Sequence, residues 1–321
     1  MSKLLEKLAR RCFDNAEEQS AFVASLLTPS SKREAALIWL GDSSELPPFP
    51  TEPREPWEAD FIFRTCRENA PGQHPLHEEG GFYILDPSSA FAASALLVVE
   101  GNAKICLDLC ASPGGKSIFA LRALKPELLI ANEVIANRMP QLISNFNRCA
   151  TKTGTTTRSK ITSSDPGFFA SILAGAVDVV IVDAPCTGQS LLAKGKPNPG
   201  CFHPNIISQN MRRQRRILAE SITTLAPGGY LAYMTCTFSP EENEENLAWI
   251  LKKFPFLIPC PVTHLEPFQS HLTTTPCYRL WPHRNHCAGS FVALVRKDPS
   301  EGERKEPGEF RSRWSWDVGG A

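Results

Sequence analysis

Two cysteines stand where a thiolate would be useful. Cys186 closes the run Asp183-Ala184-Pro185-Cys186, and Cys236 lies about fifty residues further on in Thr235-Cys236-Thr237. A thiolate can add to carbon 6 of a cytosine. Electron density then moves to carbon 5, which is otherwise a poor nucleophile toward a sulfonium methyl group, so one hard step becomes two easier ones. The thiol must have a lowered pKa, which a helix N-terminus or nearby cations provide. Cys236 shortly precedes Ser239-Pro240-Glu241-Glu242, which reads as a capping box with proline at the first helical position. Asp183 can polarise a ring nitrogen if it is protonated or shares a proton. The second thiol, Cys186, can assist release once carbon 5 loses its proton.

A cofactor turn is legible upstream. LDLCASPGGKS (107–117) follows a short apolar run, and Pro113, Gly114 and Gly115 allow a tight turn with close backbone approach to a ligand. Gly-Gly-Lys-Ser hints at a phosphate loop, but that motif needs glycine where Cys110 stands, and no Gly-x-Gly-x-x-Gly dinucleotide signature is present. The remaining reading is S-adenosylmethionine bound at the strand ends. Glu133 ends the second strand, where an acid can hold ribose hydroxyls, and Asp165 ends the third, where it can accept from an adenine amine.

These residues need strands to carry them. From about residue 100 the pattern alternates: strands are expected at 105–109, 128–133, 160–165, 177–183 and 230–235, and helices at 115–124, 137–149 and over the stripe Ile207, Met211, Leu218, Ile222, Leu225. VDVVIVD (177–183) is nearly uniformly apolar, as a buried parallel strand should be. A helix is expected over 240–253, and 278–282 with 290–297 reads as a closing antiparallel pair. The fold class is therefore α/β, a doubly wound Rossmann-like sheet, mostly parallel with a closing antiparallel strand. Residues 1–80 read as a small N-terminal helical and mixed region, helical over 1–45, with a Pro-rich linker (46–60). Residues 81–297 read as the domain built on this sheet, with the S-adenosylmethionine turn in it, and 298–321 as a flexible tail.

Composition sets outer limits. The chain has 321 residues, 34 basic and 34 acidic side chains and 42% hydrophobic residues, as in an ordinary globular protein. Eleven cysteines, an odd number with no Cys-x-x-Cys pair, argue against a zinc site or a disulfide framework. No metal is expected. No apolar run reaches eighteen residues and the N-terminus lacks a secretory pattern, so a cytoplasmic protein without membrane association is expected. The neutral total hides basic stretches without acids: Arg138, Arg148, Lys152, Arg158 and Lys160 in one, Lys194, Lys196, Arg212, Arg213, Arg215 and Arg216 in another. Such a face suits a phosphate backbone, and the loop 188–204 reads as an RNA clamp.

LDLCASPGGKS, then DAPC, then TCT resembles the RNA cytosine-5 methyltransferase family, the Sun/Fmu group, from about Gly81 to Lys297. YRLWPHR (278–284) and FYILDPSSAF (82–91) resemble further family segments, with Leu85 where glutamine is common. The resemblance implies that Cys236 is the nucleophile and Cys186 acts in product release, with Asp183 and Lys116 supporting catalysis. It further implies that Cys110, Ala111, Ser112, Pro113, Gly114, Gly115, Lys116, Glu133, Arg138, Asp165 and Asp183 form the S-adenosylmethionine site. The expected partner is RNA, ribosomal RNA favoured and transfer RNA the alternative, with a monomer expected. A DNA cytosine-5 methyltransferase using Cys186 as nucleophile and a non-catalytic RNA-binding or assembly protein on the same fold are the competing readings.

Overall fold

A computed structural model describes residues 3–29, 34–41, 46–153, 156–285, 287–309 and 315–318. Its strands are β1 (Glu34–Trp39), β2 (Ile62–Cys66), β3 (Phe82–Leu85), β4 (Ile105–Asp108), β5 (Leu128–Asn132), β6 (Arg158–Thr162), β7 (Val177–Asp183), β8 (Leu225–Thr235), β9 (Leu257–Pro259), β10 (Tyr278–Leu280), β11 (Ser290–Lys297) and β12 (Ser315–Val318). Its α-helices are α1 (Lys3–Cys12), α2 (Ala16–Leu27), α3 (Pro75–Glu78), α4 (Pro87–Ser94), α5 (Gly115–Leu124), α6 (Met139–Cys149), α7 (Pro166–Ile172), α8 (Pro204–Thr224), α9 (Glu244–Lys253) and α10 (Pro282–Asn285).

The large sheet runs β10-β11-β8-β7-β4-β5-β6-β12, with β9 also on β11. The five central strands are parallel, and β11 closes antiparallel on β8. The alternation of β7 explains its burial: Val179 and Ile181 enter the core on one face, Val180 and Val182 the core on the other. The chain proceeds from β4 to β5 and β6 on one side and to β7 and β8 on the other. The switch point therefore lies between β4 and β7, where open α/β sheets bind ligands.

The N-terminal part departs from expectation. Residues 34–39, read as helical, form β1 at the centre of a three-stranded antiparallel sheet, β2-β1-β3. A short apolar run does not separate a buried strand from a buried helix; pairing with β2 and β3 decides it. The division at residue 80/81 runs through this sheet, since β3 pairs with β1. Ala36, Ile38, Ile62 and Tyr83 share one apolar core with Ile118, Phe119 and Ala131. Helices α1 and α2 bury Leu5, Leu8, Phe22 and Leu26 against Phe238 and Trp281.

The described part of the segment expected as a flexible tail is held. Arg304 bonds the carbonyl of Ala176 at 2.9 Å and pairs with Asp178, and β12 pairs antiparallel with β6. Among the described residues, no helix is long and apolar enough to cross a membrane.

Candidate active site

β4 delivers Asp108 to the switch point. The side chain is buried; it accepts a hydrogen bond from the Ser117 hydroxyl at 2.6 Å and one from the Cys110 N–H at 3.2 Å. Burial pushes its pKa up to about 7 against the lowering effect of Ser117. The chain then turns through a cis Ser112–Pro113 peptide to Gly114, whose φ of +113° only glycine tolerates. A Cβ on Gly115 would stand 3.0 Å from the Tyr83 ring. The turn opens α5 beside a cavity of about 1200 Å³, which Cys110, Ala111, Pro113, Gly115, Lys116 and Asp183 help to line. Ser112 is buried and donates to the Arg138 carbonyl at 3.0 Å.

Glu133, 2% exposed, follows β5. Its Oε1 accepts from the Ile135 N–H at 2.9 Å. Its Oε2 lies 3.1 Å from Arg138 Nη1 yet accepts no hydrogen bond of good geometry. Arg138 also donates to the Ser112 carbonyl, tying the acid to the glycine turn. Asp165 sits apart, largely exposed. It caps α7 through the Gly167 N–H at 3.0 Å and forms a bidentate pair with Arg216 at 3.1–3.2 Å. It lines a second cavity of about 210 Å³ with Cys110, Pro185 and Arg213. Cys110 is common to both cavities.

The two cysteines meet. β7 and β8 are parallel neighbours with Asp183 opposite Met234, so the loops leaving them run side by side, and Cys186 Sγ lies 3.3 Å from Cys236 Sγ. A hydrogen bond from the Cys186 thiol lowers the Cys236 pKa; burial and Asp183 oppose this, and Ser190 and Lys194 support it. Cys186 is pushed up, first by that same bond and then by burial. Asp183 accepts from Lys116 Nζ at 2.6 Å. Burial alone would lower Lys116, but the charge and hydrogen bond of Asp183 outweigh it and keep the ammonium protonated.

Beneath the cysteines lies a buried polar framework that the sequence did not disclose. Gln189 Nε2 donates to the Cys201 carbonyl at 2.9 Å and to Ser239 Oγ at 2.7 Å, and the Ser190 N–H donates to the Cys236 carbonyl at 3.2 Å. Ser239 is therefore not the helix cap that its motif suggested. A 3₁₀ turn covers Pro240–Glu242, and α9 begins only at Glu244. The arginines of α8 also divide. Arg215 bonds Asn246 at 2.8 Å and covers Trp249, and Arg216 is on Asp165, while Arg212 is exposed and Arg213 lines the smaller cavity.

A family model described as 16S rRNA methyltransferase RsmB/F matches residues 95–296. The chain belongs to this RsmB/F family. Ribosomal RNA small subunit methyltransferase F of Cronobacter sakazakii is 30% identical over 253 residues, 76% of this chain and 51% of that protein. The Salmonella agona protein of the same name is 30% identical over 259 residues, 79% and 53% of the two chains. This RsmB/F chain thus spans about half the length of the curated relatives it matches. Among solved structures, NSun6 from Pyrococcus horikoshii with SFG superposes with TM-score 0.71 at 18% identity, over 92% of this chain and 98% of that one. A methyltransferase homologue from the same organism gives 0.68 at 22%, over 92% and 100%. Both show the fold: the RsmB/F chain has the methyltransferase sheet that its strand pattern predicted. Among its described residues, no group of three or more His, Cys, Asp or Glu side chains is arranged to hold a metal.

Proposed function

We propose that the chain methylates carbon 5 of a cytosine in RNA, with small-subunit ribosomal RNA as the favoured substrate and the cytoplasm as its place of action. The observation that carries this is the contact between Cys186 and Cys236, at the edge of the sheet where the Lys116–Asp183 pair faces the cavity of the glycine turn. When bound, S-adenosylmethionine supplies an electrophilic methyl group.

The residues of the turn fit that group. Gly115 lines the cavity with no side chain of its own, and Glu133 presents a buried carboxylate oxygen without a hydrogen-bonded donor, which suits a ribose hydroxyl. Asp165, in the smaller cavity, is the proposed acceptor for the adenine amine. Glu133→Gln removes the charge while leaving an acceptor. The expected result is a loss of about tenfold or more in affinity for S-adenosylhomocysteine by titration calorimetry, as for a hydrogen bond to a charged group. Unchanged affinity would remove Glu133 from the site.

The remaining chemistry belongs to the protein. Cys236, the more acidic thiol, adds to carbon 6 of the base. The carbon 5–carbon 6 electron pair shifts through carbon 4 to nitrogen 3, which takes the proton that Lys116 and Asp183 share, passed on by the Asp183 carboxyl. Carbon 5 is then the nucleophilic atom. Once it is methylated, Cys186, whose own proton has passed to water, takes the carbon 5 proton as thiolate; the carbon 6–sulfur bond breaks, Cys236 leaves as thiolate, and nitrogen 3 returns its proton to the Asp183–Lys116 pair. A target cytosine in structured RNA must be unpaired or flipped out. The exposed Lys196 and Arg212 are available for phosphate contacts.

The test is a map of 5-methylcytosine in ribosomal and transfer RNA from cells with and without the chain. One cytosine in small-subunit ribosomal RNA that loses its methyl group in the deletion is expected. Loss confined to transfer RNA would reassign the substrate, and no lost position would overturn the reading.

A further inference from the structure

The segment Glu242-Asn243-Glu244 takes no direct part in the reaction described above, yet all three side chains are buried. Glu242 is fully enclosed. Its Oε1 accepts from the Thr187 hydroxyl at 2.6 Å; its Oε2 accepts from the Thr187 N–H at 3.0 Å and from Gln214 Nε2 at 2.8 Å. The Thr187 hydroxyl lies 2.6 Å from that of Thr237. Asn243 holds the second loop from the other side: its Oδ1 accepts from the Thr235 hydroxyl at 2.5 Å, and its Nδ2 donates to the Thr237 carbonyl at 2.9 Å. Thr187 directly follows Cys186; Thr235 and Thr237 flank Cys236.

We propose that Glu242 is a positioning residue: through Thr187, and from Thr187 to Thr237, its carboxylate clamps the residue after each cysteine and so sets the contact between the two thiols. This rests on the methyltransferase reading only for what the thiols do, not for how they are held.

A carboxylate suits the clamp because it accepts only. When Glu242 is ionised, Thr187 donates to it through both N–H and O–H, and Thr237 donates to Thr187. When Glu242 is protonated, its own O–H needs an acceptor, and the Thr187 oxygen is the one within reach. Thr187 must then donate to Thr237, which reverses the hydroxyl chain that ends beside Cys236. Burial pushes Glu242 up to about 7, opposed by Thr187 and Gln214 and aided by the neighbouring Glu241. Cys186, Cys201 and Tyr233 are the other titratable groups that face it, and Tyr233 donates its hydroxyl to the Glu242 carbonyl. The clamp therefore changes its hydrogen-bond direction near neutral pH.

Two measurements on the full chain test this without RNA or cofactor. In the first, dibromobimane bridges neighbouring thiols, and mass mapping follows the Cys186–Cys236 bridge. Glu242→Ala is expected to slow bridging about tenfold or more, because displacements near 1 Å strongly reduce proximity effects, while single alkylation of Cys236 persists. In the second, the rate of Cys236 alkylation by iodoacetamide is followed from pH 5.5 to 9. Glu242→Gln is expected to abolish an inflection near pH 7 that the wild-type chain shows. Its amide can keep the framework, the oxygen facing the Thr187 N–H and Gln214 and the NH₂ facing the Thr187 hydroxyl. Bridging by folded Glu242→Ala at the wild-type rate, or an inflection that survives Glu242→Gln, overturns the proposal. A chain that passes both measurements but methylates no RNA overturns the methyltransferase reading alone.

Discussion

Cys236→Ser is expected to lose methyl transfer to RNA by at least about a thousandfold, which corresponds to roughly 4 kcal/mol in the barrier. A serine hydroxyl at this position lacks the acidity that the Cys186 hydrogen bond supports in Cys236, and without an anion no adduct forms at carbon 6. Cys186→Ser has a different signature. The nucleophile remains, so the adduct forms, but the group that takes the carbon 5 proton is gone. RNA should then stay attached to the protein through denaturing electrophoresis in the presence of cofactor. Serine at 186 keeps an O–H that can donate to Cys236, so adduct formation should persist near the wild-type pH; Cys186→Ala, which removes that donor, should need a higher pH. The assay follows labelled methyl incorporation and the denaturation-resistant complex for both variants, using RNA from cells lacking the chain. A trapped complex with Cys236→Ser and none with Cys186→Ser would exchange the roles and favour the Pro-Cys nucleophile of the rival reading.

The second large effect is on stability. Arg279 and Glu244 are fully or nearly fully buried and paired, Nη2 to Oε2 at 2.5 Å and Nε to Oε1 at 2.6 Å. Arg279 Nη1 also reaches the Phe238 carbonyl at 3.2 Å, in the loop after Cys236. Burial alone would raise Glu244, but the charge and hydrogen bonds of Arg279 and the Ser270 hydroxyl outweigh it and hold Glu244 below its ordinary value. Arg279→Met leaves a buried carboxylate without its cation and is expected to cost about 3–5 kcal/mol. The pH dependence gives the sign. In the wild type the folded pKa is depressed, so this contribution is present above the unfolded value of about 4.3 and is lost as pH falls through the folded value. In Arg279→Met the folded pKa of Glu244 rises, the folded state binds the extra proton, and stability falls as pH increases. The destabilisation relative to wild type should therefore be larger at pH 8 than at pH 5 in urea unfolding. An equal loss at both pH values, or one below about 1 kcal/mol, would show that the pair does not carry the region.

The succession of strands and helices, and the emergence of Cys186 and Cys236 at strand ends, were legible because their signals are local. VDVVIVD can only be satisfied with both faces buried, and the Gly114 turn and the residues after β7 and β8 mark strand ends in the chain itself. The N-terminal sheet was not legible, because EAALIW (34–39) becomes a strand through partners 28 and 48 residues away, counted from Glu34 to Ile62 and Phe82. The same holds for Asp165. Its place at a strand end was readable, but its pairing with Arg216, 51 residues on, was not.

By itself, the amino-acid sequence determined the alternation of strands and helices, the glycine turn, and the emergence of Cys186 and Cys236 from strand ends. These follow from side-chain periodicity and from backbone conformations open to few residue types. Only the tertiary structure decided that the sulfurs stand 3.3 Å apart, that Lys116 occupies Asp183, and that Glu242 abandons its helix cap to hold Thr187. Each is a contact between segments distant in the chain. Such contacts arise because buried polar groups must find partners wherever packing brings them, and no local pattern records which partner that is.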